Sequence, residues 1–197
     1  MRSKALLFAG LLLISACSFT REVGDRWVMT LPNTNSAEGE RVGTATYNST
    51  LKVELPESPS HLETQRVAVT RPDGALDYYA GARWADMLPL HVQQALVGGL
   101  QQQGIYRQVV SDEVAAPTMY HLFLQMRDFS VTHQGGQPQA VLSFGYTLQK
   151  NLKVLHSGTA SGQAMLTGES RAEIQQGFAE AYQQLVMDLA GQLKSYK

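Results

Sequence analysis

Alternation and helical spacing divide the chain into two kinds of segment. Short alternating runs come first. Arg26–Leu31 ends at Pro32, Leu51–Leu55 ends at Pro56, and Arg66–Thr70 is followed by the turn signal Pro72-Asp73-Gly74. Pro presets φ there and Gly tolerates positive φ, so Ala75–Tyr79 is expected to return beside the third run. Between the first two runs, residues 32–49 are rich in Asn, Ser, Thr and Gly and read as a loop.

The period then changes. Leu88, Val92, Ala95, Leu96, Gly99 and Leu100 recur at steps of three and four. That spacing predicts one face of a helix over about 86–103. Pro89 suits its first turn and Gly104 its end. Gly98 and Gly99 weaken the helix intrinsically but allow another backbone to come close. Ile105–Val110 leaves it as a strand.

Longer alternating runs follow. In 120–126, Tyr120, Leu122, Leu124 and Met126 share one face. Phe129 breaks that parity and predicts a bulge or an edge. Residues 138–150 alternate again, Lys150-Asn151 reads as a hairpin turn, and 152–166 returns. A closing helix spans about Ser170–Ser195, with Ser170 and Glu173 as a capping box. Ile174, Phe178, Ala181, Leu185, Leu189 and Leu193 form its apolar stripe. Strands, helix, strands, helix predict an α+β fold. The expected form is a largely antiparallel sheet with two amphipathic helices on one face, as a single periplasmic domain over 26–197.

The first residues belong to neither pattern. Arg2 and Lys4 precede an apolar run, Ala5–Ile14, which Ser15 and Ala16 follow. This is the layout of a secretory signal peptide over 1–16, with cleavage after Ala16. The run is far short of the ~20 residues a spanning helix needs. Ile14-Ser15-Ala16-Cys17 resembles a bacterial lipobox. Cys17, the one cysteine of the 197 residues, would then carry diacylglyceryl and palmitate-type acyl chains. Several chains, at ~0.8 kcal/mol per buried methylene, anchor stably where one does not. Residues 17–25 would form the lipidated N-terminus and tether. At ~3.6 Å per residue its eight residues after Cys17 reach under ~30 Å, so the domain must sit close to the membrane. Ser18 rather than Asp after the cysteine implies, by resemblance to enteric lipoproteins, the periplasmic face of the outer membrane more than the inner one.

Composition excludes several classes. The formal net charge is −1, and loss of Arg2 and Lys4 makes it slightly more acidic, so there is no electrostatic footprint for nucleic acid. A disulfide is impossible with one cysteine. The five histidines lack metal-ligand spacing, so no metal site and no cofactor are expected. In Gly158-Thr159-Ala160-Ser161-Gly162 the Ser is not central, and the segment lies in a strand pattern, so it is no nucleophile elbow. Phosphate-binding and dinucleotide fingerprints are absent, no carboxylate pair suits glycoside cleavage, and no catalytic residue or enzymatic activity is expected.

Leu76–Pro89 gathers aromatics, small residues and a charged pair before the first helix. Trp84 could plug the space between sheet and helix while Arg83 and Asp86 pair or satisfy polar groups. Alternatively the segment is an aromatic–Arg contact patch, since Trp, Tyr and Arg dominate interface hot spots.

The stretch YYAGARWADMLP, preceded by RVAVTRPDGALD and followed by LQQQGIYRQVV, resembles the ABC-type transport auxiliary lipoproteins. These include the lipoprotein of paraquat-inducible intermembrane transport systems. Tyr79, Ala80, Arg83 and Trp84, with Gly104 and Tyr106, match the family pattern; the 32–49 loop does not match it. The resemblance implies an accessory subunit working beside a permease, an ATPase and a Mce-domain substrate-binding protein that move lipids or other hydrophobic molecules between membranes. It would be a docking or ring-forming subunit, a homo-oligomer that receives the Mce-domain conduit. The residues leave two alternatives open: a periplasmic lipid carrier, and a scaffolding lipoprotein of envelope assembly.

Overall fold

A computed structural model of the chain describes residues 27–32, 45–115, 120–133 and 136–195. Its elements are β1 (Trp27–Met29), β2 (Tyr47–Val53), β3 (Arg66–Thr70), β4 (Leu76–Trp84), α1 (Leu88–Gln102), β5 (Tyr106–Ser111), β6 (Tyr120–Thr132), β7 (Gln139–Lys150), β8 (Lys153–Met165) and α2 (Arg171–Ser195). The signal peptide over 1–16 with its cleavage after Ala16, the lipobox cysteine Cys17 and the 17–25 tether lie outside the described residues.

The strand β6 organises the sheet. Along one edge it pairs with β7 over its whole length, antiparallel, and β7 pairs likewise with β8. The other edge is shared. β2 lies parallel beside its start, from Leu51 opposite Tyr120 to Val53 opposite Leu122. β3 lies parallel beside its end, from Ala68 opposite Ser130 to Thr70 opposite Thr132. A parallel bridge between Glu57 and Gln125 joins the two stretches. β4 runs antiparallel to β3 and carries β1 in parallel, while β5 is parallel to β2.

The fold is therefore α+β, as expected, but its sheet is mixed. The alternation that marks a strand says nothing about its partner. β2 and β3 are successive extended segments with no net reversal between them, so both must run the same way along β6. α1 supplies the long connection that a parallel neighbour requires. The parity break near Phe129 appears as a register shift between Met126 and Asp128. β2 also begins earlier than its apolar residues indicate, at Tyr47, because its first residues are polar.

Both helices bury the expected stripes. Leu88, Val92, Ala95, Leu96, Gly99 and Leu100 of α1 are buried, and so are all six stripe residues of α2. Ser170 and Glu173 form the reciprocal cap: the Ser170 N–H donates to Glu173 Oε2 at 3.0 Å and the Glu173 N–H to Ser170 Oγ at 3.4 Å. At Gly99 the close neighbour is side chain rather than backbone. A Cβ there would stand 2.7 Å from the Tyr182 hydroxyl and 3.2 Å from Val186.

Side chains from the helices close the sheet edges. The N–H groups of Ser161 and Gln163 on β8 donate to Asp188 (3.0 Å) and Gln184 (3.3 Å), and Gln192 donates to the Thr159 carbonyl at 2.9 Å. On β5 the Val109 N–H donates to Gln101 at 2.7 Å. Beyond β1, Gln175 exchanges hydrogen bonds with the Thr30 backbone. Unpaired strand edges invite pairing with other chains, and these contacts occupy them.

Candidate functional site

The segment singled out in the sequence is divided by the pleat of β4. Trp84 points into the core with no exposed surface. Its ring meets Phe178 edge-on at 4.9 Å and Phe129 at 5.4 Å, and lies 6.0 Å from the His91 ring. Of the two readings of this residue, the plug between sheet and helix is the arrangement found. Arg83 and Ala80 are exposed, and Tyr79 is intermediate. The Tyr79 hydroxyl is buried without a hydrogen-bond partner, and burial, with the charge of Glu169, pushes it up to about 12. Asp86 accepts the Met87 N–H at 2.7 Å. Trp84 therefore offers no contact surface; only its neighbours do.

His91, on α1, ties the helix to the chain after β1. Its Nε2 accepts the Leu31 N–H at 2.9 Å, which requires an unprotonated Nε2. Burial holds the ring below its ordinary value near 6.5, partly opposed by Asp86. The unfolded chain thus takes up a proton first as pH falls. The contribution is present above about pH 6.5 and is lost as pH drops through the lower native value. Asp77, held down by the Tyr78 N–H and by Arg71, and Glu173, held down by Ser170, act from below 3.8 and 4.5. Urea unfolding at about pH 7.5 and about pH 5.5 should show a weaker fold at the lower value, and His91→Gln should shrink that difference. An undiminished difference in the variant would contradict this assignment.

The opposite face of the sheet is open and carries a groove of about 600 Å³. Glu54, Glu57 and Asp112 line it together with Leu55, Phe123 and Arg127. Leu55 and Phe123 are exposed at 49% and 41%, against the usual polarity of an outward face. Glu54 pairs with His121 Nδ1 at 2.7 Å, and the His121 ring stacks on Phe123 at 6.3 Å. The Arg127 guanidinium lies over Gly145, where no side chain intervenes, and donates to Thr159 Oγ1 at 3.2 Å. Asp112 accepts from Gln93 at 2.6 Å.

Sequence reasoning missed this groove because outward positions of a strand read as solvated surface. Phe123, apolar on the polar phase of β6, was the available signal. Leu55 continues the alternation of Leu51 and Val53, yet it lies past the end of β2 and faces solvent.

Beside the groove, the β7–β8 hairpin turns at Asn151 (φ 49°) and Leu152 (φ 66°). Two positive φ values mark a type I′ turn, in which the second position favours Gly. A leucine in the left-handed region costs about 1–2 kcal/mol. It is also 93% exposed, so its side chain gains little burial against that cost, which the β7–β8 pairing sustains.

Among the described residues no three His, Cys, Asp or Glu side chains gather to hold a metal ion. No helix there is long and apolar enough to cross a membrane. The molecule is thus a sheet-and-helix α+β protein whose distinctive exposed features are an open-face groove and a hairpin tip.

The chain belongs to the ABC-type transport auxiliary lipoprotein family, whose model matches residues 25–193. The family places it, coarsely, among lipoprotein accessories of transport. The fold is shared with a Xanthomonas campestris protein whose crystal structure is 21% identical, with TM-score 0.67, covering 84% of this chain and 90% of that one. A second crystal structure, of an uncharacterised protein, is 17% identical with TM-score 0.64, covering 78% and 96%. A hypothetical protein from Chlamydia trachomatis is 6% identical with TM-score 0.52, covering 76% and 97%. No protein of curated function matches the chain by sequence.

Proposed function

We propose that this chain is the membrane-anchored docking subunit of an ABC-type transporter of the Mce class, which moves lipids or other hydrophobic molecules between the inner and outer membranes. The family match over residues 25–193 carries the proposal. Cys17 is the anchor, with cleavage after Ala16, and Ser18 favours the outer membrane. The subunit is an accessory without catalysis of its own. It binds a Mce-domain substrate-binding protein directly and the permease and ATPase through it, and it associates with copies of itself.

In this reading the family motif has two parts. Trp84 sets the position of β4 against α1 and α2, while Arg83 and Ala80, exposed beside it, are available to a partner. Among the described residues the helix side of the sheet holds core side chains, and the groove on the other side is open and mixes carboxylates with Leu55 and Phe123, an arrangement that suits docking better than carriage of a lipid. Affinity capture of the full-length chain from detergent-solubilised envelopes tests the proposal. A Mce-domain protein and the ATP-hydrolysing subunit of one ABC assembly should come with it. Recovery without any such partner would contradict it.

A further inference from the structure

We propose that the β7–β8 hairpin tip of one copy seats in the open-face groove of a second copy. This rests on the self-association included in the proposed function and names its surfaces. Three observations converge on it.

The first is the tip itself. Leu152 is almost wholly exposed in a conformation that favours glycine, and Val154 beside it is 60% exposed. The two-residue turn between the paired Lys150 and Lys153 imposes the positive φ, but a leucine there in place of glycine, with its side chain in solvent, points to a use outside the chain. Lys153 lies between Leu152 and Val154 in sequence and Lys150 precedes the turn, its ammonium 5.0 Å over the Tyr120 ring, so the tip carries two cationic side chains beside two apolar ones.

The second is the groove. Its lining includes the exposed apolar Leu55 and Phe123 and the carboxylates of Glu54, Glu57 and Asp112. Glu54 already pairs with His121 and Asp112 accepts from Gln93, but with three carboxylates against the one guanidinium of Arg127 the groove is acidic on balance, which suits a tip that is apolar and cationic. Charge complementarity of this kind fixes register and steers encounter.

The third is position. Lys150 pairs with Tyr120 at the start of β6. β1 connects through β4 and β3 to the far end of β6, near Phe129 and Ser130. The tip therefore stands roughly 30 Å along the sheet from where Trp27 enters. It lies at the opposite end of the sheet from Trp27, the first described residue. Copies tethered to one membrane face each other at high effective concentration, which favours such a contact.

The test uses the full-length protein in mild detergent, its protein mass read by light scattering corrected for bound detergent. Wild type should exceed the mass of one chain. Leu152→Gly should weaken association at least tenfold while its thermal midpoint stays level or rises, because glycine fits the turn. Lys153→Glu and Glu57→Lys should each weaken association, and the two together should restore it. Association unmoved by all three single variants, or no rescue in the double variant, would overturn the tip-in-groove contact. A wild type of single-chain mass would overturn self-association itself; capture of the transport partners would still stand or fall separately.

Discussion

Replacing Trp84 with alanine should lower the stability of the fold by about 3–5 kcal/mol, the range for large aromatic truncations in cores. The expectation comes from its surroundings. Phe129 on β6, Phe178 on α2 and His91 on α1 all meet its ring. One side chain thus joins the sheet to both helices, and the cavity left by its loss would touch all three. Trp84→Phe keeps much of the apolar volume and removes an indole N–H that has no hydrogen-bond partner. It should cost clearly less. Denaturant midpoints of the two variants check this; an alanine variant that unfolds like wild type would mean that the ring does not hold the layers together.

Gly162→Ala should be nearly as damaging, for the opposite reason. Overpacked core sites typically cost about 1–3 kcal/mol, and this one should reach or pass the upper end. A Cβ at Gly162 would lie 1.9 Å from the Ala181 carbonyl oxygen and 2.7 Å from the Leu185 nitrogen. Both are backbone atoms of α2, so no side chain can rotate away. The helix would have to lift from β8 and lose its hydrogen bonds to Ser161 and Gln163. Gly191, on the exposed side of α2, has open space around its Cβ position. Gly191→Ala is the control and should be neutral or slightly stabilising. Equal thermal midpoints for Gly162→Ala and wild type would contradict the close approach.

These two residues show what the sequence could and could not disclose. The small residues Gly158, Ala160, Gly162 and Ala164 alternate with polar ones, and they were legible as a strand. Their role as a seat for α2 was not, because it depends on which helix crosses them. Trp84 was legible as a large aromatic between a strand and a helix. Whether it faced in or out depended on the extension of β4 to residue 84, past the expected end at Tyr79. The helix faces came through well, since a period near 3.6 identifies the buried side directly. Strand partners did not: β2 and β3 both lie parallel to β6, and alternation is blind to direction. The groove was the least legible feature. It is formed by residues from β6, β7, β8 and the stretches after β2 and β5, which only the curl of the sheet brings together.

The division of the family motif also bears on function. Its most recognisable residue, Trp84, is committed to the core. Similarity at that position therefore reports the fold, and it leaves partner choice to exposed positions. Arg83, the groove residues around Phe123 and the hairpin tip around Leu152 are where relatives that serve different partners should differ.

The N-terminal peptide of the captured protein tests most directly whether the chain is a lipid-anchored docking subunit. Its mass should begin at Cys17 and include diacylglyceryl and acyl chains, in material that also contains the Mce-domain partner. A peptide retaining Met1, or an unmodified Cys17, would contradict the account.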